Sequence, residues 1–315
     1  MASREDPQVP GPGVLLWALG REELADPLSP ERLERYHPVW AEDALGMAPW
    51  QEVSVSWCST CEKESWWHST RYCGGTVVVA GPCSSSLDVA RPLAENHAIG
   101  AWDSVLAVSQ WAGRGQLRRS WNSPAGNIYG ALVLPPTPRE YDSLLPVVLG
   151  YCLAGFFRSK NLSACVKWPN DILLGGLKVG GVLVEERRGI CVAGIGLNLV
   201  NAPPREVLRQ EHAVTAGCLS DAGLSATPLA LWCELVDFVK ICYGNVLIQG
   251  APGRAASLAE PLIAWLGQEV VVREGGQEPW TGLIVGLTQD GALRVRPTGG
   301  VGERLLTSGS IWRAP

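Results

Sequence analysis

The order of hydrophobic and polar positions divides the 315-residue chain into three parts. Between residues 76 and 250, short runs rich in Val, Ile and Leu alternate with stretches in which apolar residues recur at helical spacing. The runs predict strands at 76–81, 102–110, 128–134, 164–168, 178–185 and 190–199, and the spacing predicts helices at 87–97, 143–158 and 228–243. Because strands outnumber helices, the pattern favours an α+β fold over a doubly wound parallel sheet.

The pattern changes on both sides of this region. Residues 1–75 are irregular, with a short helix predicted at 29–36 and no pair of amphipathic helices of the helix-turn-helix type. From residue 256 a short helix precedes alternating runs, EVVVRE, TGLIVGLT, ALRVRPT and ERLLTSGSIW, with a hairpin signal at Asp290-Gly291. We therefore predict an N-terminal extension of unknown role at 1–75, a main domain at 76–255 and a small β-barrel at 256–315.

Composition and charge limit the kinds of partner. Hydrophobic residues make up 46% of the chain and charged residues 18%, as in an ordinary globular protein. The formal net charge of -5 argues against a surface that coats nucleic acid, so we expect no nucleic-acid partner and only local anion sites. The N-terminus lacks the apolar segment of a secretory signal, and the longest apolar run, 144–157, contains Pro146 and is shorter than the ~20 residues of a membrane span. These features predict a soluble, cytoplasmic protein without a membrane partner.

The ten cysteines do not define a disulfide scaffold in a chain of this length. Six of them have apolar neighbours and are interpreted as small core residues: Cys152, Cys165, Cys191, Cys218, Cys233 and Cys242. Cys58, Cys61, His68 and Cys73 are residue types that hold zinc. We expect no zinc there, because only one C-x-x-C pair is present and Trp57, Trp66 and Trp67 indicate a packed aromatic patch.

A positively charged, glycine-rich loop is the first candidate for chemistry. In AGRGQLRRSWNSPAGNIYG, residues 112–130, Gly113 and Gly115 allow backbone N–H groups to approach an anion. The nearby guanidinium groups, which suit carboxylate or phosphate, belong to Arg114, Arg118 and Arg119. The spacing is neither that of a Walker A loop nor that of a dinucleotide fingerprint. Taken alone, the loop fits both an anion-binding site and a solvated hairpin turn.

A second stretch, KWPNDILLGGLKVGGVLVEE at 167–186, indicates a ligand. Pro169 fixes a corner at which Asn170 and Asp171 offer short polar groups. The spacing to Lys178 suits a hairpin whose second strand aims the ammonium group back at this corner. Gly180 and Gly181, directly after Val179, carry no side chains and so let a ligand lie against the strand backbone.

The third stretch, GIGLNLV at 194–200, places Asn198 in an otherwise apolar strand. A buried asparagine must find hydrogen-bond partners. Asn198 is therefore interpreted either as the cap of a strand end or as a group that reads a ligand edge such as the adenine amino group.

Together the three stretches resemble the biotin protein ligases of the biotin/lipoyl protein ligase family. GRGQLRRSWNSPAGNIY is similar to the family's glycine-arginine loop followed by Trp-x-Ser-Pro-x-Gly-Asn-hydrophobic-Tyr, KWPND to its Lys-Trp-Pro-Asn-Asp corner, and residues 196–198 to its Gly-x-Asn strand. The similarity is strong over about 76–200, and GLIVGLTQDGALRV with SGSI resembles the family's SH3-like domain more weakly. The resemblance implies a mixed β-sheet catalytic domain flanked by helices and a C-terminal SH3-like barrel.

The resemblance also implies an activity. Such enzymes join biotin to ATP, forming biotinyl-5'-adenylate and pyrophosphate, and pass the biotinyl group to one lysine of a biotin carboxyl carrier protein or of the biotinyl domain of a carboxylase. The implied small molecules are therefore biotin as substrate, ATP and Mg²⁺. The implied assembly is a monomer or a homodimer.

The same resemblance implies roles for individual residues. Lys178 and Arg114 take the catalytic roles, and Asp171 is expected to help hold Mg²⁺. The residues implied for biotin are Ser85, Ser86, Gln110, Arg114, Gly115, Trp121, Lys178 and Gly181. Those implied for the adenylate or ATP are Gly113, Gln116, Arg118, Arg119, Asn170 and Asn198. The chain departs from the family pattern at Gln116, where the family has arginine, and at Leu87, where it has asparagine.

Three other functions remain alternatives. A lipoyl or octanoyl protein ligase shares the fold, but the Trp-x-Ser-Pro and Lys-Trp-Pro-Asn-Asp motifs favour biotin. A bifunctional ligase and biotin-responsive repressor is disfavoured by the acidic charge and the missing helix-turn-helix pattern. A binding module without catalysis is disfavoured because Arg114, Asp171 and Lys178 are all present.

Overall fold

The computed structural model describes residues 9–18, 26–204, 214–248 and 250–314. The helices are α1 (Val39–Gly46), α2 (Ser86–Glu95), α3 (Leu145–Ser159), α4 (Pro228–Ile248) and α5 (Pro252–Ala259). The strands are β1 (Gly13–Leu16), β2 (Gln51–Val55), β3 (Glu64–Ser69), β4 (Thr76–Ala80), β5 (Ser104–Ala107), β6 (Ile128–Val133), β7 (Ala164–Lys167), β8 (Asp171–Leu174), β9 (Leu177–Arg187), β10 (Ile190–Leu197), β11 (Glu269–Arg273), β12 (Trp280–Leu287), β13 (Leu293–Pro297), β14 (Arg304–Leu306) and β15 (Ser310–Arg313).

Two sheets organise these strands. The larger is a ten-stranded mixed sheet in the order β2-β3-β1-β4-β5-β6-β10-β9-β8-β7, in which β4 runs parallel to β1 and β5 while β6 runs antiparallel to β5 and β10. The smaller is five-stranded, in the order β14-β13-β12-β11-β15, and each of its pairs is antiparallel. The predicted α+β class is confirmed, and the small C-terminal sheet is compatible with an SH3-like barrel.

The chain divides into two compact units. The first consists of Met1–Pro136, Leu183–Pro203 and Cys218–Asp237, and the second of Thr137–Val182, Pro204–Gly217 and Phe238–Pro315. The core of the first unit combines apolar side chains of β4, β5 and β6 with one face of α2. In the second unit, Trp168 at the end of β7 is buried and its indole N–H donates to the carbonyl of Gly291 between β12 and β13, at 2.9 Å. No helix among the described residues combines the length and apolar composition that crossing a membrane requires.

The N-terminal segment contributes strands to the larger sheet. β1 pairs in parallel with β4, with Val14 opposite Val77, and antiparallel with β3, with Val14 opposite Ser69. The sheet therefore continues across the predicted boundary at residue 76, although the three-domain division itself stays a prediction. β1 is a continuous apolar run of four buried residues. Such a short run lacks the alternation that identifies a strand in a sequence.

Two tryptophans of the predicted aromatic patch, Trp57 and Trp66, pack with Trp17 around one carboxylate. Trp17 stacks on Trp66 with ring centroids 5.0 Å apart and meets Trp57 edge-on at 5.6 Å. The Glu64 carboxylate accepts the indole N–H of Trp17 at 2.6 Å and that of Trp57 at 3.0 Å. Because buried indole N–H groups need acceptors, Glu64 allows these rings to lie in the core.

Cys58 and Cys61 form a disulfide in the connection between β2 and β3, a pairing that the sequence analysis did not anticipate. Two of the four residues considered for zinc are therefore bonded to each other. Among the described residues no group of three or more His, Cys, Asp or Glu side chains is arranged to hold a metal ion. The predicted helix at 29–36 is a 3₁₀ helix, Pro30–Arg35, and α1 after it was not predicted.

A buried carboxylate of α1 caps α4. Asp43 is 2% exposed and accepts the backbone N–H groups of Leu229 at 2.9 Å and Ala230 at 3.1 Å. The hydroxyl of Thr227, which directly precedes α4, also donates to Asp43. Burial raises the pKa of Asp43 to about 6 from its ordinary 3.8, although these hydrogen bonds oppose the increase.

This raised pKa predicts a pH-dependent stability. The folded chain holds the Asp43 proton more tightly than the unfolded chain, so this group stabilises the fold below about pH 4 and the contribution is lost as pH rises through about 6. We expect the free energy of unfolding of the wild type to fall relative to that of Asp43→Asn by about 2 to 3 kcal/mol between pH 4 and pH 7. Urea unfolding of both proteins across this range measures the difference, and a difference independent of pH would contradict the assignment.

Candidate functional site

The glycine-arginine loop of the first unit is a narrow hairpin. Its base is closed by the N–H of Trp121 donating to the carbonyl of Gly113 at 2.8 Å, and the N–H of Gly115 donates to the carbonyl of Arg119 at 2.7 Å. A 3₁₀ turn, Gln116–Arg118, forms the tip, where Leu117 has a positive φ of 56° and is 64% exposed. The loop is therefore ordered by its own backbone hydrogen bonds.

Three of the residues predicted to contact biotin, Ser85, Ser86 and Gln110, meet at the base of this loop. The Gln110 side chain accepts the backbone N–H of Ser86 at 2.7 Å and donates to the Ser123 hydroxyl at 3.1 Å. Ser85 and Ser86 are buried at the start of α2, and Ser85 caps this helix by accepting the N–H of Leu87. The structure thus brings Ser85, Ser86 and Gln110 together, while their binding roles stay predictions.

Trp121 and Asn198 lie beside the end of β10. A Cβ atom on Gly196 would lie only 2.6 Å from Cε2 of the Trp121 ring, so the ring packs directly on the glycine backbone. Asn198 directly follows β10 and is 2% exposed. Its backbone carbonyl accepts the backbone N–H of Leu219 at 2.8 Å.

Asn127 is a site residue to which the sequence analysis assigned no role. It is fully buried, and its Oδ1 accepts the backbone N–H groups of Leu199, Val200 and Asn201 at 2.8 to 3.1 Å. Its Nδ2 donates to the carbonyl of Asn201 at 2.8 Å. Asn127 therefore fixes the backbone immediately after Asn198. The available signal was its place in the SPAGN segment of the loop motif.

Arg114 lies between two carboxylates. Its Nη1 is 2.5 Å from Oδ1 of Asp88 on α2, and its Nε is 3.2 Å from Oε1 of Glu185 on β9. Burial alone would lower the pKa of Arg114, but the hydrogen bonds and charges of Asp88 and Glu185 raise it above its ordinary value. Arg114 is thus a fixed cation. Of the other loop arginines, Arg119 is exposed, and the Arg118 side chain lies outside the described part of the structure.

The second unit holds the Lys-Trp-Pro-Asn-Asp corner and its lysine. Oδ1 of Asp171 is 2.6 Å from Nζ of Lys178, and Oδ2 is 3.0 Å from Nζ of Lys167. Burial would raise the pKa of Asp171, but the two ammonium groups hold it below its ordinary value. Two cations and one carboxylate leave this cluster with a net charge of +1. The cluster can therefore attract a further anion.

Local hairpin geometry explains this cluster. β7 and β8 pair with Lys167 opposite Asp171, and β8 and β9 pair with Leu173 opposite Lys178 after a register shift. Gly175 and Gly176, with φ of 56° and 82°, supply the left-handed turn between β8 and β9. The predicted hairpin that returns Lys178 to the corner is present.

The remaining predicted residues of the corner also meet. The side-chain amide of Asn170 donates to the carbonyl of Val182 at 2.6 Å. The backbone carbonyl of Asn170 accepts the N–H of Val182 at 2.9 Å. Gly180 and Gly181 lie opposite Ile172 and Asp171 in the β8–β9 pair. The backbone of β9 is thus held against the corner.

Asp171 does not fit the expected role of an Mg²⁺ ligand in this arrangement. Both of its carboxylate oxygens face lysine ammonium groups. A dication bound at the same oxygens would be repelled by two positive charges a few ångströms away. Asp171 instead holds Lys167 and Lys178 in place.

Comparison with known proteins shows the family of the chain. The model of the biotin/lipoate A/B protein ligase family matches residues 99–199, and that of the biotin protein ligase C terminal domain matches residues 265–311. The chain belongs to the biotin/lipoate A/B protein ligase family, because its similarity extends over nearly the whole of a family member. It is 31% identical over 226 residues to the biotin–[acetyl-CoA-carboxylase] ligase of Paracoccus denitrificans, covering 67% of this chain and 90% of that one.

Two further proteins illustrate the relationship. The bifunctional ligase/repressor BirA of Bacillus subtilis (strain 168) is 32% identical over 145 residues, 44% of each chain. The structure of the Aquifex aeolicus biotin protein ligase in complex with biotin and ATP superposes with a TM-score of 0.62 at 24% identity, covering 76% of this chain and 99% of that chain. This second likeness shows a shared fold.

Proposed function

We propose that this chain is an ATP-dependent biotin ligase that converts biotin and ATP to biotinyl-5'-adenylate and pyrophosphate. It then transfers the biotinyl group to a lysine of a biotin carboxyl carrier protein or of a biotinyl domain. The observation that carries the proposal is the net positive cluster of Lys178, Asp171 and Lys167 in the Lys-Trp-Pro-Asn-Asp hairpin. The similarity to the Paracoccus denitrificans ligase supports biotin as the acid that is activated.

The chemical difficulty is that two anions must react. A carboxylate oxygen of biotin forms a bond to the α-phosphorus of ATP while the bond from that phosphorus to the bridging oxygen breaks and pyrophosphate leaves. Fixed cations offset the repulsion, and they do so best when they need no reorganisation. Lys178 suits this role because Asp171 holds its ammonium group in place and the cluster keeps a positive charge.

We assign the loop of the first unit to the reactive product. Biotinyl-5'-adenylate is a mixed anhydride that water hydrolyses, so a ligase must cover it. Arg114 supplies the fixed cation of the loop, and Trp121 supplies an apolar face for biotin. Further biotin contacts are assigned to Ser85, Ser86, Gln110, Gly115 and Gly181, and adenylate contacts to Gly113, Gln116, Arg118, Arg119, Asn170 and Asn198.

The partners follow from the same reaction. Mg²⁺ enters the proposal as the ion bound to the phosphates of ATP. The protein partner is a carrier domain with an acceptor lysine. We propose that the enzyme works in the cytoplasm as a monomer or homodimer.

A biotinylation assay tests the proposal. The full chain is incubated with biotin, MgATP and a purified carrier domain, and pyrophosphate release and carrier mass are followed. We expect biotin-dependent pyrophosphate and one biotinyl group per carrier, and no labelling of a carrier whose acceptor lysine is replaced by arginine. Labelling with lipoate or octanoate and none with biotin would replace this proposal by the lipoyl or octanoyl alternative.

A further inference from the structure

The charge of Arg114 is balanced by neighbouring side chains. Arg114 and Arg91 face Asp88 and Glu185, so the four charges sum to zero. An incoming carboxylate therefore meets a cation whose charge is already compensated. For Arg114 to neutralise a new anion, one of its present pairs must open.

The two carboxylates hold Arg114 unequally. Glu185 accepts from both Nε at 3.2 Å and Nη2 at 3.3 Å, the forked arrangement that is strongest for arginine. Glu185 also lies 3.5 Å from Arg91, a side chain that is only 11% exposed. Asp88 accepts from Nη1 alone. Asp88 makes the shortest single contact, at 2.5 Å, whereas Glu185 is held by two N–H groups of Arg114 and by Arg91 as well.

Asp88 has another partner when this pair opens. Its second oxygen accepts the Ser84 hydroxyl at 2.7 Å, and its side chain is 37% exposed, so water can replace the guanidinium. A partly exposed ion pair contributes about 1 kcal/mol or less, which a bound carboxylate can displace.

We propose that Asp88 is a positioning residue that holds Arg114 in the ligand-free chain and yields its place to the carboxylate of biotin. The inference rests on the proposed function, since it takes biotin as the incoming acid. Glu185 keeps the guanidinium oriented during the exchange, and the N–H of Nη1 released from Asp88 turns to the ligand. Asp88 thus keeps the loop closed without ligand, at the expense of biotin affinity.

Proteolysis of the ligand-free chain tests the contact without biotin. Cleavage by trypsin after Arg119 reports how often the loop opens, because the rate follows the population of the open form. We expect Asp88→Asn to raise this rate about threefold to fivefold. In the Arg114→Ala background the same substitution should change the rate by less than about twofold, because its partner is already gone. An equal increase in both backgrounds would overturn the proposal.

Biotin titration of the same variants tests the exchange. Asp88→Asn should lower the biotin Kd about threefold to fivefold, with kcat for pyrophosphate release unchanged. The matched control is Glu95→Gln, which removes the same charge from α2 where Glu95 pairs with Arg188, and it should leave both values unchanged. An Asp88→Asn Kd that is unchanged or higher, in a wild type that labels carrier, overturns the exchange but not the ligase function. A wild type that fails to bind biotin overturns both.

Discussion

Replacing Lys178 by alanine is expected to reduce biotin-dependent pyrophosphate release about a thousandfold while the chain remains folded. The substitution removes the ammonium group that Asp171 positions at 2.6 Å and changes the cluster from a charge of +1 to neutral. The fold should persist because the Lys178 side chain is 30% exposed and Asp171 retains Lys167. Pyrophosphate release under single-turnover conditions isolates the adenylation step from transfer to the carrier.

Lys63→Ala provides the control for this prediction. Lys63 is exposed in the connection between β2 and β3, so its removal changes the net charge equally without touching the corner. We expect wild-type activity from Lys63→Ala and an unchanged Tm from Lys178→Ala to within a few degrees. Adenylation within tenfold of wild type in folded Lys178→Ala would remove this residue from the mechanism.

The return of Lys178 to the corner that holds Asp171 could be predicted because everything that determines it is local. Seven positions separate the two residues, and the Gly175-Gly176 pair between them supplies the left-handed turn of a short hairpin. Short-range turn chemistry of this kind is visible in a sequence. No role was predicted for the second lysine, Lys167, which lies opposite Asp171 in the β7–β8 pair. This pairing converts a predicted metal ligand into the anchor of two cations.

The ion-pair partners of Arg114 could not be predicted from the sequence, because they are distant along the chain. Asp88 and Glu185 are 26 and 71 positions away from Arg114, and packing alone brings them to it. The same holds for Asn127, which meets its partners 72 to 74 positions later. A lone polar residue has many prospective partners along a chain, so its contacts follow from the tertiary fold. The sequence motif predicted which loop residues bind the ligand, and the tertiary fold determines which side chains contact those residues.

Adding a single methyl group at two neighbouring glycines is expected to affect mainly stability at one and mainly biotin binding at the other. A Cβ on Gly130 in β6 would lie 2.0 Å from the ring of Trp232, which is fully buried and donates to the Ser104 hydroxyl at 3.0 Å. That ring has no space to move, so Gly130→Ala should lower the free energy of unfolding by about 3 kcal/mol. Gly196 in β10 lies one pair further along the same ladder, where the Trp121 ring is only half-buried.

For Gly196→Ala we therefore expect the Trp121 ring to change its position. Biotin binding should then be weakened more than the stability of the fold. The unfolding free energy should fall by about 1 kcal/mol, while biotin affinity should fall tenfold to a hundredfold because a displaced Trp121 no longer covers the ligand. Urea unfolding and biotin titration of both variants separate the two effects. A Gly196→Ala protein that binds biotin like the wild type would show that Trp121 does not enclose the ligand. Because the two glycines lie on adjacent strands and receive the same methyl group, a general weakening of the sheet would affect both alike and could not produce the predicted contrast.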